Sequence, residues 1–192
     1  MKSKEILSAF EKEVKQNKIS ASYLFYGDKR VDLLFYALEF SKMVMTKDIE
    51  DEEEKKSIEK RIENLQHSDI EVINRKNENI KIDEVRELIY DAIESAYSSP
   101  KKIFILCGIE NLRKESSNAL LKILEEPPKD VYFILLARSL NIIPTIKSRT
   151  IKFHLEGASN EELGVSKEIY YFFDGNENNI KSYIIELAAA EK

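Results

Sequence analysis

The segment GDKRVDLL, residues 27–34, lies between a short apolar run and an amphipathic helical pattern, where a phosphate-binding loop would be expected. In the pattern G-x-x-x-x-G-K-[ST], the lysine reaches the phosphates and the hydroxyl holds Mg²⁺. Gly27 matches the first glycine, but Asp32, Leu33 and Leu34 replace the second glycine, the lysine and the hydroxyl residue. Leucine can do neither task, and a carboxylate repels polyphosphate. The segment therefore predicts a turn between a strand and a helix, with no bound nucleotide cofactor.

Nucleotide hydrolysis also needs acidic side chains at the end of a second strand, and the sequence lacks them there too. The apolar run IFILC ends in Cys107 and Gly108, neither of which can hold metal-bound water or act as a base. Glu110 follows two residues later and is expected to be a surface or local structural residue. The polar residue expected after the run VYFILL is replaced by Ala137 and Arg138. Because two independent parts of the machinery are missing, we expect no intrinsic ATP hydrolysis.

The elements that position these residues follow from the hydrophobic pattern. Runs that are apolar throughout suit strands covered on both faces, and their alternation with helical patterns predicts an α/β fold with a parallel sheet. Asp83 is expected to cap a helix that ends before Ser98, Ser99 and Pro100. Other helices are predicted at 3–17, 31–45, 114–126, 159–172 and 177–190, with a charged helix within 46–66, and strands at 22–26, 70–74, 103–107, 131–136 and about 150–154.

Composition excludes several classes of protein. A formal net charge of −5 disfavours a strongly basic nucleic-acid footprint. One cysteine rules out an internal disulfide framework, and with two histidines it disfavours a structural zinc site, so no metal is expected. The chain shows neither a signal-like segment nor an apolar run of membrane-spanning length, so a cytoplasmic location is expected.

Five segments carry a resemblance to a known family. They are HSDIEVI (67–73), IKIDEVRELI (80–89), SSNALLKILEEPPKDVYFILL (116–136), IIPTIKSRT (142–150) and FFDGNENNI (172–180). In this order they resemble the delta-prime subunit family of the bacterial DNA polymerase III clamp loader, within the AAA+ group. The resemblance implies an AAA+-like core at 1–156 and a small helical lid domain at 157–192. The family's C-terminal collar domain has no counterpart in the sequence, so the chain is expected to be a fragment or to assemble differently.

The same resemblance implies that no zinc module is present. Many members of the family carry four cysteines between the first helix and the second strand, where this sequence has the charged helix of 46–66. His67 is then expected to be a loop residue and not a ligand.

The resemblance also assigns a role to Arg149. In this family the arginine of a Ser-Arg-Cys motif projects into the ATP site of the neighbouring subunit, and Ser148 and Arg149 match that motif while Thr150 replaces the cysteine. Such an arginine finger stabilises charge on the transferred phosphoryl group and can act in trans. From spacing alone, Arg149 would be expected to form an ordinary salt bridge at the start of a strand.

The implied function is that of a non-hydrolysing structural subunit of the clamp loader. Its partners would be the loader's ATPase subunit and the delta subunit, and through them the sliding clamp and primed DNA. Two alternatives remain open at this point. One is the active ATPase subunit of the same loader, which Leu33, Leu34, Cys107 and Gly108 disfavour. The other is a stand-alone AAA+-like interaction module, which the acidic character of residues 46–66 would suit.

Overall fold

A computed structural model of the chain describes residues 3–74, 79–94 and 96–190. Within these ranges, helices and strands alternate through most of the chain, and a 3₁₀ turn covers Ile109–Asn111. The strands are β1 (Ser22–Tyr26), β2 (Ile70–Ile73), β3 (Lys102–Cys107), β4 (Val131–Ala137) and β5 (Ile151–His154). The helices are α1 (Ser3–Lys15), α2 (Leu33–Thr46), α3 (Glu52–Glu63), α4 (Ile82–Ile93), α5 (Lys114–Glu125), α6 (Pro144–Ser148), α7 (Asn160–Leu163), α8 (Lys167–Phe172) and α9 (Glu177–Ala190).

The described strands form one five-stranded sheet in the order β2-β3-β4-β1-β5, and every pairing is parallel. The register places Ser22 beside Phe133 on one side of β1 and Tyr23 beside Ile151 on the other. The carboxyl ends of β1, β3 and β4 therefore meet at one edge of the sheet. The predicted parallel α/β architecture is confirmed.

Helices cover both faces of the sheet because the side chains of each strand alternate between two cores. On β1, Tyr23 and Phe25 belong to the core beneath α1, α2 and α3, whereas Leu24 belongs to the core beneath α4, α5 and α6. The ring of Phe10 on α1 stacks on that of Phe25 at 5.0 Å and meets Phe40 of α2 edge-on at 4.9 Å. Fully burying one such ring contributes about 1.5–3 kcal/mol, so this cluster fixes α1 and α2 against β1.

Three predictions about helix ends need correction. The helix predicted from residue 31 begins at Leu33, because the Asp32 carboxylate accepts a hydrogen bond from the amide of Phe35. The predicted cap at Asp83 is wrong. The N-cap is Lys81, two residues earlier, and the Glu84 carboxylate accepts the amide of Lys81 at 2.7 Å.

The predicted helix 159–172 is two helices, α7 and α8. Gly164 ends α7 in the left-handed conformation with φ of +68°, and the Ser166 hydroxyl accepts the amide of Ile169 to start α8. The sequence pattern did not predict α6, which begins at Pro144 and precedes β5. None of the helices in the described ranges combines the length and apolarity that a membrane-spanning segment needs.

Candidate functional site

The loop of residues 27–32 follows β1 at the carboxyl edge of the sheet, where α/β proteins commonly bind phosphates at a helix N-terminus. Here that N-terminus already holds a carboxylate. Asp32 Oδ1 accepts the amide of Phe35 at 3.0 Å, as an N-cap residue does. A phosphate would have to displace this carboxylate and would meet its charge. The loop therefore does not fit a nucleotide phosphate.

The two leucines of this loop segment form part of the packed structure. Leu33 is only 3% exposed and belongs to the core beneath α1, α2 and α3. Leu33, Leu34, Cys107, Gly108 and neighbouring residues line a cavity of about 120 Å³. Pockets for ligands of nucleotide size usually hold roughly 300–1,000 Å³. This cavity is smaller than that range.

Arg138, directly after β4, ties the loop down from the next strand. Its Nη1 donates to the carbonyl oxygens of Asp28 at 2.8 Å and Val31 at 2.7 Å. Its backbone amide donates to Glu110 Oε1 at 2.9 Å. Glu110, expected to be a surface or local structural residue, accepts the main-chain amide directly after β4.

The cations within the loop also have protein partners. Arg30 Nε donates to Asp28 Oδ2 at 3.0 Å, and the Arg30 amide donates to Asp28 Oδ1 at 2.9 Å. These hydrogen bonds from the Arg30 guanidinium and amide hold the pKa of the Asp28 carboxyl below its usual value, and the same pairing raises the pKa of Arg30. Lys29 Nζ lies 2.9 Å from Asp174 Oδ2 in an exposed ion pair.

The segment that leads into α9 packs on the same loop. The amide of Glu177 donates to the carbonyl of Arg30 at 3.1 Å, and Asn176 Nδ2 donates to the carbonyl of Lys29 at 3.1 Å. The Glu177 carboxylate is buried and accepts the amide of Ala158 at 2.6 Å. Loop carbonyls are thus satisfied by the chain's own C-terminal helices.

Gly27, the residue that matches the phosphate-loop pattern, is required by packing. A Cβ atom at this position would lie 2.4 Å from the carbonyl oxygen of Leu155 and 2.6 Å from Cγ1 of Val31. Contacts this short do not occur between such atoms, so a larger residue would force the backbone of β1 and the segment after β5 apart. The glycine is explained without any bound phosphate.

Arg149 lies at the other edge of the sheet, at the C-terminal end of α6 and just before β5. Its Nη1 donates to the carbonyl of Thr145 at 3.0 Å and contacts Ser148 Oγ at 3.4 Å, while Nη2 donates to Glu125 Oε1. The side chain is 32% exposed. The expected salt bridge of Arg149 is present, and its partner on α5 was not predicted.

The neighbours of Arg149 in the sequence have separate tasks. Ser148 Oγ donates to the carbonyl of Thr145 at 3.0 Å and lies beside the guanidinium. Thr150 is buried, and its hydroxyl donates to the carbonyl of Ile146 at 3.1 Å. Ile146 is fully buried in the core. The helix is therefore anchored through Ile146 and Thr150, which leaves Arg149 at the surface.

The two sites are separated by the length of a strand. Ile151 pairs with Tyr23 near the start of β1, and the loop begins after Tyr26 at its end. The five residues of β1 span about 13 Å at the usual rise per residue. Arg149 therefore lies away from the chain's own loop, next to the edge strand β5.

His67, expected to be a loop residue, precedes β2 and is buried. Its Nδ1 accepts the amide of Asp69 at 3.2 Å, and burial lowers its pKa. Within the part of the chain that the structure describes, no cluster of three or more His, Cys, Asp or Glu side chains is arranged to hold a metal ion.

Comparison with known proteins places the chain in a family. Residues 2–159 match the family model described as DNA polymerase III, delta subunit. The chain belongs to this family. The structure is also similar to a crystal structure of a DNA polymerase III, gamma subunit-related protein from Thermotoga maritima, with a TM-score of 0.63, 24% identity, and coverage of 82% of this chain and 48% of that one. The predicted AAA+-like α/β fold is confirmed.

Individual relatives match over shorter segments. The chain is 37% identical over 84 residues to DNA polymerase III subunit gamma of Buchnera aphidicola subsp. Schizaphis graminum, covering 43% of this chain and 23% of the relative. It is 35% identical over 74 residues to DNA polymerase III subunit delta′ of Pseudomonas aeruginosa, covering 38% and 23%. The match thus spans about a quarter of these two relatives, and the gamma and delta′ subunits match the chain with similar identities.

Proposed function

We propose that the chain acts as a delta-prime-type, non-hydrolysing subunit of the DNA polymerase III clamp loader. In this role it supports loading of the sliding clamp onto primed DNA and supplies Arg149 to a neighbouring ATPase subunit. The observation that carries the proposal is the closed loop of residues 27–32. The loop's main-chain groups already have hydrogen-bond partners within the protein. Asp32 accepts an amide in the first turn of α2, and Arg138 and the segment before α9 donate to the loop carbonyls.

This closure favours the delta-prime type over an active ATPase of the same loader. An ATPase needs a cation for the β- and γ-phosphates and a group that holds Mg²⁺. At those positions the chain has Leu33, buried in the core, and Cys107 at the end of β3. Since the overall similarity does not separate gamma from delta′, this local chemistry is what supports the delta-prime type.

The position of Arg149 supports action in trans. The guanidinium is partly exposed beside an edge strand and lies about a strand length from the chain's own loop. A planar guanidinium suits a transferred phosphoryl group better than an ammonium does, because it presents a rigid fork of donors. Its partner would be the ATPase subunit of the loader, with the delta subunit as a second neighbour.

The proposed division of the chain follows from the same contacts. A core of 1–156 would carry the sheet, and a helical lid of 157–192 would dock on the loop through Asn176 and Glu177. In an ATPase a nucleotide would lie between the two parts. In this subunit the protein's own hydrogen bonds would join them.

The arginine role is tested with a complex reconstituted from the full chain and the ATPase subunit of its own host. Arg149→Ala is expected to abolish the increase in ATP hydrolysis that the wild-type chain causes, because an arginine finger accelerates hydrolysis by roughly 10³–10⁵. Arg86→Ala, which removes an exposed arginine on α4, is the matched control and should keep the wild-type rate. An unchanged rate for Arg149→Ala, with complex formation verified by size-exclusion chromatography, would overturn the arginine role.

The non-hydrolysing role is tested by calorimetric titration of the purified chain with ATP and Mg²⁺. We expect no saturable heat up to millimolar nucleotide, because the loop's donors and space are already used. Saturable binding of ATP to the chain alone would contradict the closed-loop explanation and would favour a nucleotide-sensing subunit.

A further inference from the structure

The guanidinium of Arg149 is held from two directions by its own chain. On one side Nη1 contacts the Thr145 carbonyl and the Ser148 hydroxyl, both on α6. On the other side Nη2 donates to the carboxylate of Glu125, the last residue of α5. Glu125 and Arg149 are 24 residues apart in the chain, and α5 and α6 together thus define one orientation of the arginine side chain.

Glu125 occupies an unfavourable position for a carboxylate when α5 is considered alone. The C-terminus of a helix carries partial negative charge, so an acidic side chain in the last turn is repelled by the helix dipole. Pro127 and Pro128 follow and prevent the helix from continuing. The carboxylate is therefore not explained by the stability of α5, and its pairing with Arg149 offsets the repulsion.

Glu126 is a natural comparison because it has the same chemistry one residue later. It is exposed at the C-cap of α5 and makes no ion pair with any residue in the described ranges. The pairing with Arg149 therefore depends on the position of Glu125 and not on the general acidity of this turn.

The hydrogen bonds leave the guanidinium able to bind a further acceptor. Arginine has five N–H donors, and Thr145, Ser148 and Glu125 accept three of them. Two donors remain for an external oxyanion. An arginine side chain loses considerable rotamer freedom when it is fixed, and contacts made before binding reduce that loss at the moment of binding.

We propose that Glu125 is a positioning residue for Arg149 that holds the guanidinium in the orientation in which it meets the neighbouring subunit's phosphoryl group. This inference rests on the proposed arginine role in trans. The carboxylate touches neither substrate nor metal and acts only through Arg149.

The test uses Glu125→Gln in the same reconstituted complex, with Glu126→Gln as the matched control. Glutamine keeps the shape of the side chain but loses the charge that pairs with the guanidinium. We expect kcat to fall about fivefold, the upper end for a partly exposed ion pair, while KM for ATP stays unchanged. The control should retain the wild-type kcat.

A double variant shows whether Glu125 acts through the arginine. Glu125→Gln in an Arg149→Lys background, whose remaining stimulation leaves room for a further loss, should lower kcat by less than fivefold, because lysine lacks the planar fork that the carboxylate orients. A full fivefold loss in that background would overturn the proposal, as would a fall in the affinity of the chain for the ATPase subunit that accounts for the lower rate.

The remaining outcomes separate this inference from the proposed function. If Arg149→Ala abolishes stimulation and Glu125→Gln leaves kcat unchanged, the arginine role stands and the positioning role is wrong. A higher kcat for Glu125→Gln would mean that the carboxylate competes with the phosphoryl group, which also overturns the proposal. If Arg149→Ala itself has no effect, the proposed function fails first.

Discussion

The two edges of the sheet use the same chemical groups to join different parts of the chain. At the carboxyl edge, Arg30 and Arg138 are bonded to the carboxylate and carbonyls of a single loop, and the segment before α9 hydrogen-bonds the same loop. At the amino edge, Arg149 is partly exposed, and one carboxylate and two local oxygens orient it. The arginines of the carboxyl edge hold the carboxylate and main chain of one loop, whereas Arg149 links the end of α5 to α6.

The difference teaches how each edge of the sheet satisfies its polar groups. At the carboxyl edge, the loop carbonyls and the N-terminus of α2 need hydrogen-bond partners. Asp32 and Arg138 supply those groups. Arg149 instead bonds to groups on α5 and α6.

The largest effect is expected when a lysine is restored at the loop. Leu33→Lys should destabilise the chain by about 3–5 kcal/mol, because the side chain is 3% exposed and an unpaired ammonium cannot be solvated there. Urea unfolding measures the change. Leu33→Met, which conserves volume, should cost less than about 1.5 kcal/mol. A lysine tolerated without loss would mean that the side chain reaches the small cavity, and the contrast between the two edges would disappear.

An intermediate loss of stability is expected when a methyl group is added at Gly27. Gly27→Ala should cost about 2 kcal/mol, since the new methyl group would overlap the Leu155 carbonyl and Val31. Gly164→Asn is the control, because that position has φ of +68° in open space and asparagine tolerates the left-handed conformation. The control should stay within about 0.5 kcal/mol by the same urea measurement. An equally small loss at Gly27 would show that the loop is not held against the segment after β5.

The smallest effect concerns the charge pairing of Asp28 with Arg30. The pKa of Asp28 lies below its usual value because the Arg30 guanidinium donates to the carboxylate. A depressed pKa in the folded state contributes stability that is present above the usual carboxyl pKa and is lost as the pH falls through the lower folded value. Both side chains are about half exposed, so the contribution should be below about 1 kcal/mol.

NMR titration of the Asp28 carboxyl measures this shift directly. Arg30→Gln should raise the pKa of Asp28 toward its ordinary value. Lys29→Gln should leave the pKa of Asp28 at its wild-type, lowered value, because the Lys29 ammonium pairs with Asp174. A pKa of Asp28 that does not respond to Arg30→Gln would show that the pair does not hold the loop.

The strands were predictable because each is a short run of apolar residues, a pattern that indicates a buried strand. Observed β1 matches the predicted bounds, and β3 and β4 differ by one residue at an end. Helix ends were harder, since a cap depends on which of several neighbouring polar groups reaches a free amide. The N-cap of α4 is Lys81, whose amide Glu84 accepts, and a single glycine splits the helix predicted over 159–172.

The candidate site was predictable in part for the same reason. The missing lysine and hydroxyl at Leu33 and Leu34 are visible in the sequence, and the motif resemblance singled out Arg149. The partners of these residues were not visible. A carboxylate in the last turn of α5 was a signal, because helix dipoles disfavour it, but its partner could not be identified from spacing.

The sequence by itself determined that the sheet is parallel and apolar and that the loop lacks the lysine and hydroxyl of the phosphate-loop pattern, because both depend on residue type at short range. Only the tertiary structure decided that Arg138 closes the loop of Asp28, 110 residues away, and that Glu125 orients Arg149. Such pairings form where the register of neighbouring strands brings distant segments together. Local periodicity carries no information about which distant side chains will meet.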